Sequence, residues 1–111
     1  MKVKTQDYGD VTVIALQGEL DADFTELLRN TITNVTAKRR AGLVLDMRAV
    51  GFIDSQGLEL LLWMQQHCSE NKTQLRLAGL DENCAKILEV TRLDNEFDRY
   101  TELAEAVKSF A

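Results

Sequence analysis

Residues 52–62 read FIDSQGLELLL, and the change of pattern inside this stretch predicts a strand followed by a helix. Phe52 and Ile53 end a strand-like run, whereas the residues after Ser55 are rich in leucine, a good helix former. Asp54 and Ser55 lie at the junction, where short polar side chains commonly cap a helix. Ser55 is therefore a candidate for a helix cap, a nucleophile or a modification site.

The segments on either side alternate between strand and helix patterns. Apolar runs predict strands at residues 3–8, 11–18, 43–45, 74–78 and 97–100. Helices are predicted from Asp21 or Asp23 (which has capping-box spacing to Glu26) to Ala37, from Ser55 to Asn71, from Asp81 or Glu82 through Val90, and from a Thr101 cap to Phe110. The order β-β-α-β-α-β-α-β-α predicts an α/β fold with a mixed, largely parallel sheet, an N-terminal hairpin and four helices.

The composition is that of a globular domain with few basic residues. The 111 residues are 45% hydrophobic and 28% charged, which predicts one domain over residues 1–111. The net charge of −5 disfavours nucleic acid and anionic membranes as partners. The basic run Lys38-Arg39-Arg40 comes after a predicted helix end, where cations complement the helix dipole.

The sequence predicts a cytoplasmic protein without a metal or cofactor. MKVKTQDYGD contains no signal-peptide core, and the apolar stretch 60–64 is far shorter than a membrane span. Cys68 and Cys84 match no zinc or redox spacing, so free thiols are expected. His67 is the single histidine, which leaves no histidine-rich metal site.

The sequence argues against two chemical roles, that of a hydrolase nucleophile at Ser55 and that of a receiver phosphoacceptor at Asp46. A nucleophile elbow places glycine two residues before and after its serine, but Ile53 occupies the first position. His67, twelve residues beyond Ser55, would lie about 18 Å away along one helix. Asp46 superficially resembles a receiver phosphoacceptor, but the first strand enters a hairpin and no lysine ends strands 74–78 or 97–100. The chain is therefore not predicted to be an enzyme.

Three motifs together resemble the STAS domain, and within it the bacterial anti-sigma factor antagonists. Gly18-Glu19-Leu20-Asp21 is similar to the G-E-L-D element of the family. Residues 45–58, which contain the D-S-x-G element at Asp54, Ser55 and Gly57, are similar to its signature. Residues 88–93 are similar to the end of its third helix, and Phe97 and Tyr100 match the segment after that helix.

The resemblance implies a switch. In these antagonists the serine at the position of Ser55 is phosphorylated by an anti-sigma factor that is also a serine kinase. The unmodified antagonist binds that factor and frees the sigma factor, whereas the phosphorylated form releases it and a PP2C-type phosphatase restores binding. The chain is then expected to regulate transcription through partner switching, as a substrate and partner with no catalytic residues of its own.

The residues around Ser55 are compatible with such a switch. Phosphate would add about −1.5 to −2 charges beside Asp54 and Asp21. Asp21 and Asp23 are candidates both for partner contacts and for plain helix caps. On the predicted helix, Gly57, Leu58, Leu61, Leu62, Met64 and Cys68 are expected to face the core, and Gln56, Glu59, Leu60, Trp63 and His67 to face away. Leu60 and Trp63 are then partner anchors, are covered by another helix, or stand alone at the surface.

The chain departs from the family pattern at one position, and a second function is compatible with its motifs. Many family members carry a small residue where this chain has Gln56, so kinase choice or phosphorylation rate is expected to differ. The predicted partner surface comprises Asp21, Asp23, Asp54, Gln56, Gly57, Glu59, Leu60 and Trp63. The alternative function is a STAS subunit of a phospholipid-transport ABC complex, or a stressosome-like scaffold, with no sigma-factor role.

Overall fold

Five strands form one sheet in the order β1-β2-β3-β4-β5 in the computed structural model, which describes residues 2–110. The strands are β1 (Lys2–Tyr8), β2 (Val11–Leu20), β3 (Gly42–Ile53), β4 (Gln74–Ala78) and β5 (Asp98–Tyr100). The helices are α1 (Thr25–Ala37), α2 (Ser55–Glu70), α3 (Glu82–Val90) and α4 (Leu103–Lys108), with 3₁₀ turns at Ala22–Phe24 and Asp94–Glu96. β1 and β2 are antiparallel and β2 to β5 are parallel, which confirms the predicted fold class.

The opening hairpin closes with a two-residue turn. Tyr8 pairs with Val11, and Gly9 in the turn has a φ of 62°. Glycine adopts this left-handed conformation without steric cost, so it suits a tight hairpin. Arg40, just after α1, donates to the Gly9 carbonyl at 2.7 Å and pairs with Asp7 at 2.7 Å. Arg40 therefore ties the end of α1 to the hairpin, whereas the sequence predicted only a solvated helix end.

The sheet separates two apolar clusters. On one face, α1, α2 and α3 contribute Leu28, Ile32, Leu61, Met64, Cys84 and Leu88, which pack on strand residues such as Ile14 and Leu45. On the other face α4 contributes Ala106, which packs with Val11, Val13, Val44 and Ala78. Because both faces of the central strands are buried, these strands read as nearly continuous apolar runs rather than alternating ones.

β3 is much longer than the predicted strand at residues 43–45. It runs from Gly42 to Ile53, and its carboxyl half continues pairing with β2 after β4 has ended. Ala15 and Gln17 pair with Asp46 and Ala49, so β3 carries an extra residue there. Such a bulge changes which side chains face the core and breaks the two-residue alternation. The polar residues around this bulge hid the strand from pattern reading.

The helix starts differ in part from the predictions. α2 begins at Ser55 and β4 occupies residues 74–78, as predicted. Asp81, one of the two predicted starts of α3, caps this helix by accepting from the Cys84 N–H at 2.7 Å. Asp21 caps the 3₁₀ turn by accepting from the Asp23 N–H at 3.0 Å, so Asp23 is not itself a cap. The Thr101 cap is also wrong: Glu102 precedes α4 and its side chain makes no capping hydrogen bond.

The assignment of faces on α2 needs two corrections. Leu60 is completely buried, although it was predicted to face away from the core, and Leu62 is 38% exposed although it was predicted to face the core. At about 100° per residue, Leu60 lies only about 60° from the buried Gly57 direction, whereas Leu62 lies about 140° away. Leu60 therefore packs in the core, and Leu62 is the exposed leucine of this helix.

The helices carry neither a membrane span nor a reactive thiol. None of the helices between residues 2 and 110 is both long enough and apolar enough to cross a membrane. Cys68 and Cys84 are buried free thiols on α2 and α3, as expected. Burial raises the pKa of the Cys68 thiol to about 11 and that of the Cys84 thiol to about 12, so neither is a nucleophile near neutral pH.

Candidate functional site

Ser55 opens α2 with a free hydroxyl. Asp54 is the N-cap: its Oδ1 accepts the Gly57 N–H at 2.8 Å. Ser55 is exposed, and its hydroxyl has no hydrogen-bond partner among residues 2–110. The sequence made Ser55 a candidate cap, but Asp54 performs that role. The Ser55 hydroxyl is therefore exposed and is not used by the cap of the helix that it opens.

The start of α2 is fastened to the end of β2. The Leu20 carbonyl accepts the Asp54 N–H at 3.1 Å. A Cβ on Gly57 would overlap that same carbonyl and would lie 2.9 Å from Ile53 Cγ2. Glycine is therefore required here so that the first turn of α2 can approach the backbone of β2. Gly57 is buried, which removes it from the predicted partner surface and gives it a structural role.

This junction brings the two capping aspartates together. Asp21 directly follows Leu20, whose carbonyl accepts the Asp54 N–H, so both capping residues lie at the junction between β2 and α2. Asp21 and Asp54 are half-buried, and Asp23 is exposed. The parallel order of β2 and β3 explains this proximity, because the carboxyl ends of parallel strands meet at one edge of a sheet. Ser55 thus lies in an acidic environment.

One exposed stripe runs along α2 away from Ser55. Glu59, Leu62 and Gln66 come after Ser55 at intervals of four, three and four residues and are all exposed. These intervals place side chains on one helix face. Leu62 lies about 10 Å from Ser55 along the axis at 1.5 Å per residue. The sequence analysis missed Leu62, although its spacing of two helical turns from Ser55 was the available signal.

Trp63 belongs to the contact between α1 and α2. Its ring stacks on His67 with centroids 4.7 Å apart, and the Arg29 guanidinium lies 4.9 Å from the ring centroid. His67 Nε2 lies 2.9 Å from the Thr36 hydroxyl, whose hydrogen is directed to backbone carbonyls of α1. Trp63 is half-buried and packs against the core. The possibility that another helix covers this residue is therefore correct in large part.

Asp46 lies on the opposite face of the sheet from the helix that Ser55 opens. It accepts from Arg48 Nε at 2.9 Å and from Arg48 Nη2 at 2.8 Å, and it is buried. These hydrogen bonds from Arg48 lower the pKa of Asp46 below its ordinary 3.8. A carboxylate held in this way is a structural partner of Arg48. Among residues 2–110, no group of His, Cys, Asp and Glu is arranged to hold a metal ion.

Fold and site define a small α/β domain in which an exposed serine opens a helix between two capping carboxylates. The family model of the STAS domain matches residues 2–106. The chain therefore belongs to the STAS domain family, as its motifs predicted.

Similar proteins include antagonists of anti-sigma factors. Over 59 residues the chain is 36% identical to the Anti-sigma-F factor antagonist RsfB of Mycobacterium tuberculosis. The matched segment covers 53% of the chain and 48% of the relative. The chain thus spans about half the length of this relative. An anti-sigma factor antagonist from Mycobacterium paratuberculosis has a similar structure, with a TM-score of 0.86, 25% identity and coverage of 97% and 92% of the two chains.

The same fold occurs in another context. A sulfate transporter family protein from Wolinella succinogenes matches with a TM-score of 0.83 and 19% identity, over 92% of this chain and 85% of that one. The fold alone therefore does not determine the function, which has to be argued from the site.

Proposed function

We propose that this chain is an anti-sigma factor antagonist that binds an anti-sigma factor with serine kinase activity and is released when Ser55 is phosphorylated. The observation that carries the proposal is the exposed Ser55 hydroxyl, which bonds to no described residue and lies beside the Asp54 cap. Similarity to proteins named anti-sigma factor antagonists supports the choice of partner. A PP2C-type phosphatase completes the cycle.

The charge around Ser55 supports a switch that acts without unfolding the domain. Phosphate would add about −1.5 to −2 charges. The Ser55 and Gln56 N–H groups have no acceptor within α2 because they belong to its first turn, so they are available to the phosphate. The Asp21 and Asp54 carboxylates would repel it. A partner fitted to a neutral serine would then face a concentrated anionic patch whose desolvation is costly.

The proposed partner surface consists of exposed and half-buried side chains around and beyond Ser55. It comprises Asp21, Asp23, Asp54, Ser55, Gln56, Glu59 and Leu62, together with the exposed part of Trp63. Leu62 replaces Leu60 as the apolar contact because Leu60 is buried. Leu62→Ala should weaken partner binding without destabilising the fold, whereas Trp63→Ala would also disturb the packing of α1 on α2. A Leu62→Ala protein with unchanged affinity would remove Leu62 from this surface.

The test is a capture experiment from the native host with wild type, Ser55→Ala, Ser55→Glu and Ser69→Glu. Ser69 is an exposed serine in the last turn of the same helix, so Ser69→Glu controls for added charge on α2. We expect wild type, Ser55→Ala and Ser69→Glu to retain a kinase-type anti-sigma factor and Ser55→Glu to lose it. Equal capture of the anti-sigma factor by all four proteins would contradict the switch. Capture of no anti-sigma factor by any of them would favour a STAS subunit without a sigma-factor role.

A further inference from the structure

The outer edge of β1 is an unpaired strand edge at the border of the sheet. β1 is a terminal strand of the sheet, and its seven residues, Lys2–Tyr8, pair only with β2. The N–H and C=O groups on its outer side are therefore open to hydrogen bonding by an added strand. The side chains above and below the edge determine which strand would fit there.

One face of this edge is basic. A groove of about 360 Å³ is lined by Lys2, Lys4, Ala15, Leu16, Gln17, Asp46, Arg48 and Ala49. Lys2 and Lys4 are exposed and pair with no carboxylate among the described residues. Asp46 holds the Arg48 guanidinium through two hydrogen bonds, while the Arg48 side chain remains 62% exposed. This face therefore carries two free ammonium groups beside an oriented guanidinium.

The other face of the same edge carries an exposed leucine among uncharged polar residues. A second groove, of about 410 Å³, lies between β1 and α1 and is lined by Val3, Thr5, Leu27, Thr31, Asn34, Val35 and Lys38. Leu27 is 48% exposed there. Since side chains alternate between the faces of a strand, β1 separates the groove that contains Lys2 and Lys4 from the groove that contains Leu27.

We propose that the β1 edge accepts an extended segment of a partner protein in which acidic and apolar residues alternate. Acidic side chains two residues apart in a strand lie about 7 Å apart on one face, the spacing at which Lys2 and Lys4 also repeat. The apolar side chains between them would enter the groove beside Leu27. Charge complementarity thus determines that the acidic side of the added strand lies on the groove beside Lys2 and Lys4. Backbone pairing with β1 supplies the main hydrogen bonds.

The charge distribution favours an acidic strand over other occupants. Antiparallel pairing of β1 with β1 of a second copy supplies no acidic partner for the lysines, because full overlap of the two strands places Lys2 opposite Tyr8 and Lys4 opposite Gln6. A membrane or nucleic acid would meet the whole molecule, whose net charge of −5 is repulsive. A narrow acidic strand meets only the local basic groove.

The test uses an acetylated, amidated eight-residue peptide with glutamate at alternate positions and valine or leucine between them. Binding to the full chain is measured by NMR and amide hydrogen exchange, with a glutamine-for-glutamate peptide as the control. We expect shifts at β1 and α1, and slower exchange of outward β1 amides. Lys2→Glu/Lys4→Glu should weaken binding about tenfold or more. Leu27→Ser should weaken binding through loss of the apolar contact.

Matched controls make the result specific. Lys72→Glu/Lys86→Glu makes the same charge change at exposed lysines elsewhere and should leave the affinity within about twofold. Ser55→Glu should also leave it unchanged, which separates this surface from the proposed switch. The proposal would be overturned if the peptide did not bind in low salt, or if the two lysine double variants lost affinity equally. It would also be overturned if Lys2 and Lys4 bound phosphatidylserine vesicles, or if the chain self-associated and Lys2→Glu/Lys4→Glu abolished that self-association.

Discussion

At the scale of single residues, the site depends on a division of labour within the D-S-x-G element. Asp54 caps α2, Gly57 permits the close approach to β2, and Ser55 between them has no structural bond among the described residues. Neighbouring residues therefore maintain the helix start, and Ser55 can change its chemistry without loss of the fold. The sequence pattern predicts the motif, but only the hydrogen bonds distinguish the cap from the free hydroxyl.

Gly57→Ala should destabilise the protein. Alanine is a better helix former by about 1 kcal/mol, but the added methyl would overlap the Leu20 carbonyl, and overpacking costs about 1 to 3 kcal/mol. Gly51→Ala is the matched control because a Cβ there meets no atom within 4 Å. Urea denaturation of both variants measures the difference. A Gly57→Ala protein as stable as Gly51→Ala would refute the close contact.

Removal of the Asp54 cap should be more costly than removal of the Ser55 hydroxyl. Asp54→Ala should lower the free energy of unfolding by about 1 kcal/mol, whereas Asp54→Asn should retain most of the cap. Ser55→Ala should change stability by less than about 0.5 kcal/mol. Thermal and urea unfolding at pH 7 compare the three variants. Equal losses for Asp54→Ala and Ser55→Ala would mean that the serine shares the capping role.

At the scale of elements, the apolar pattern of the sequence predicts regular helices and strands but does not predict the full length of a strand that contains a bulge. β4 and the start of α2 agree with the prediction because their apolar spacing is regular. β3 was predicted far too short because its bulge and its buried Asp46 interrupt the apolar pattern. The predicted orientations of Leu60 and Leu62 were wrong because a run of leucines does not show which face of the helix lies on the core. Tertiary packing of α2 on α1 and on strands β3 and β4 resolves that ambiguity, and no local signal does.

Asp46 should give β3 a stability that depends on pH. Its pKa is lower in the folded protein because Arg48 donates two side-chain hydrogen bonds, so the ionised form favours folding. The contribution is complete above the ordinary pKa of 3.8 and is lost as the pH falls through the lower folded value. Wild type should therefore exceed Asp46→Asn in stability at pH 7 and lose that advantage progressively as the pH falls below 3.8. A difference that does not vary with pH, measured by urea denaturation, would contradict the ion pair.

At the scale of the whole molecule, the two proposed surfaces occupy different places on the sheet. Ser55 opens α2 at the carboxyl ends of β2 and β3, whereas the β1 edge borders the sheet and is flanked by Lys2 and Lys4. An acidic protein that carries a local basic groove can bind one partner at the switch and an acidic strand at the edge. Phosphorylation would then alter the first interaction and leave the second intact.

The central claim is tested most directly by measuring one affinity in three states of the protein. The host anti-sigma factor recovered with Ser55→Ala is purified, and its affinity is measured by calorimetry for the unmodified chain, for the chain phosphorylated at Ser55, and after treatment with a PP2C-type phosphatase. Mass spectrometry verifies the modified residue. We predict strong binding, then a loss of about a hundredfold or more, then full recovery. Equal affinity in the unmodified and phosphorylated states would contradict the switch at Ser55.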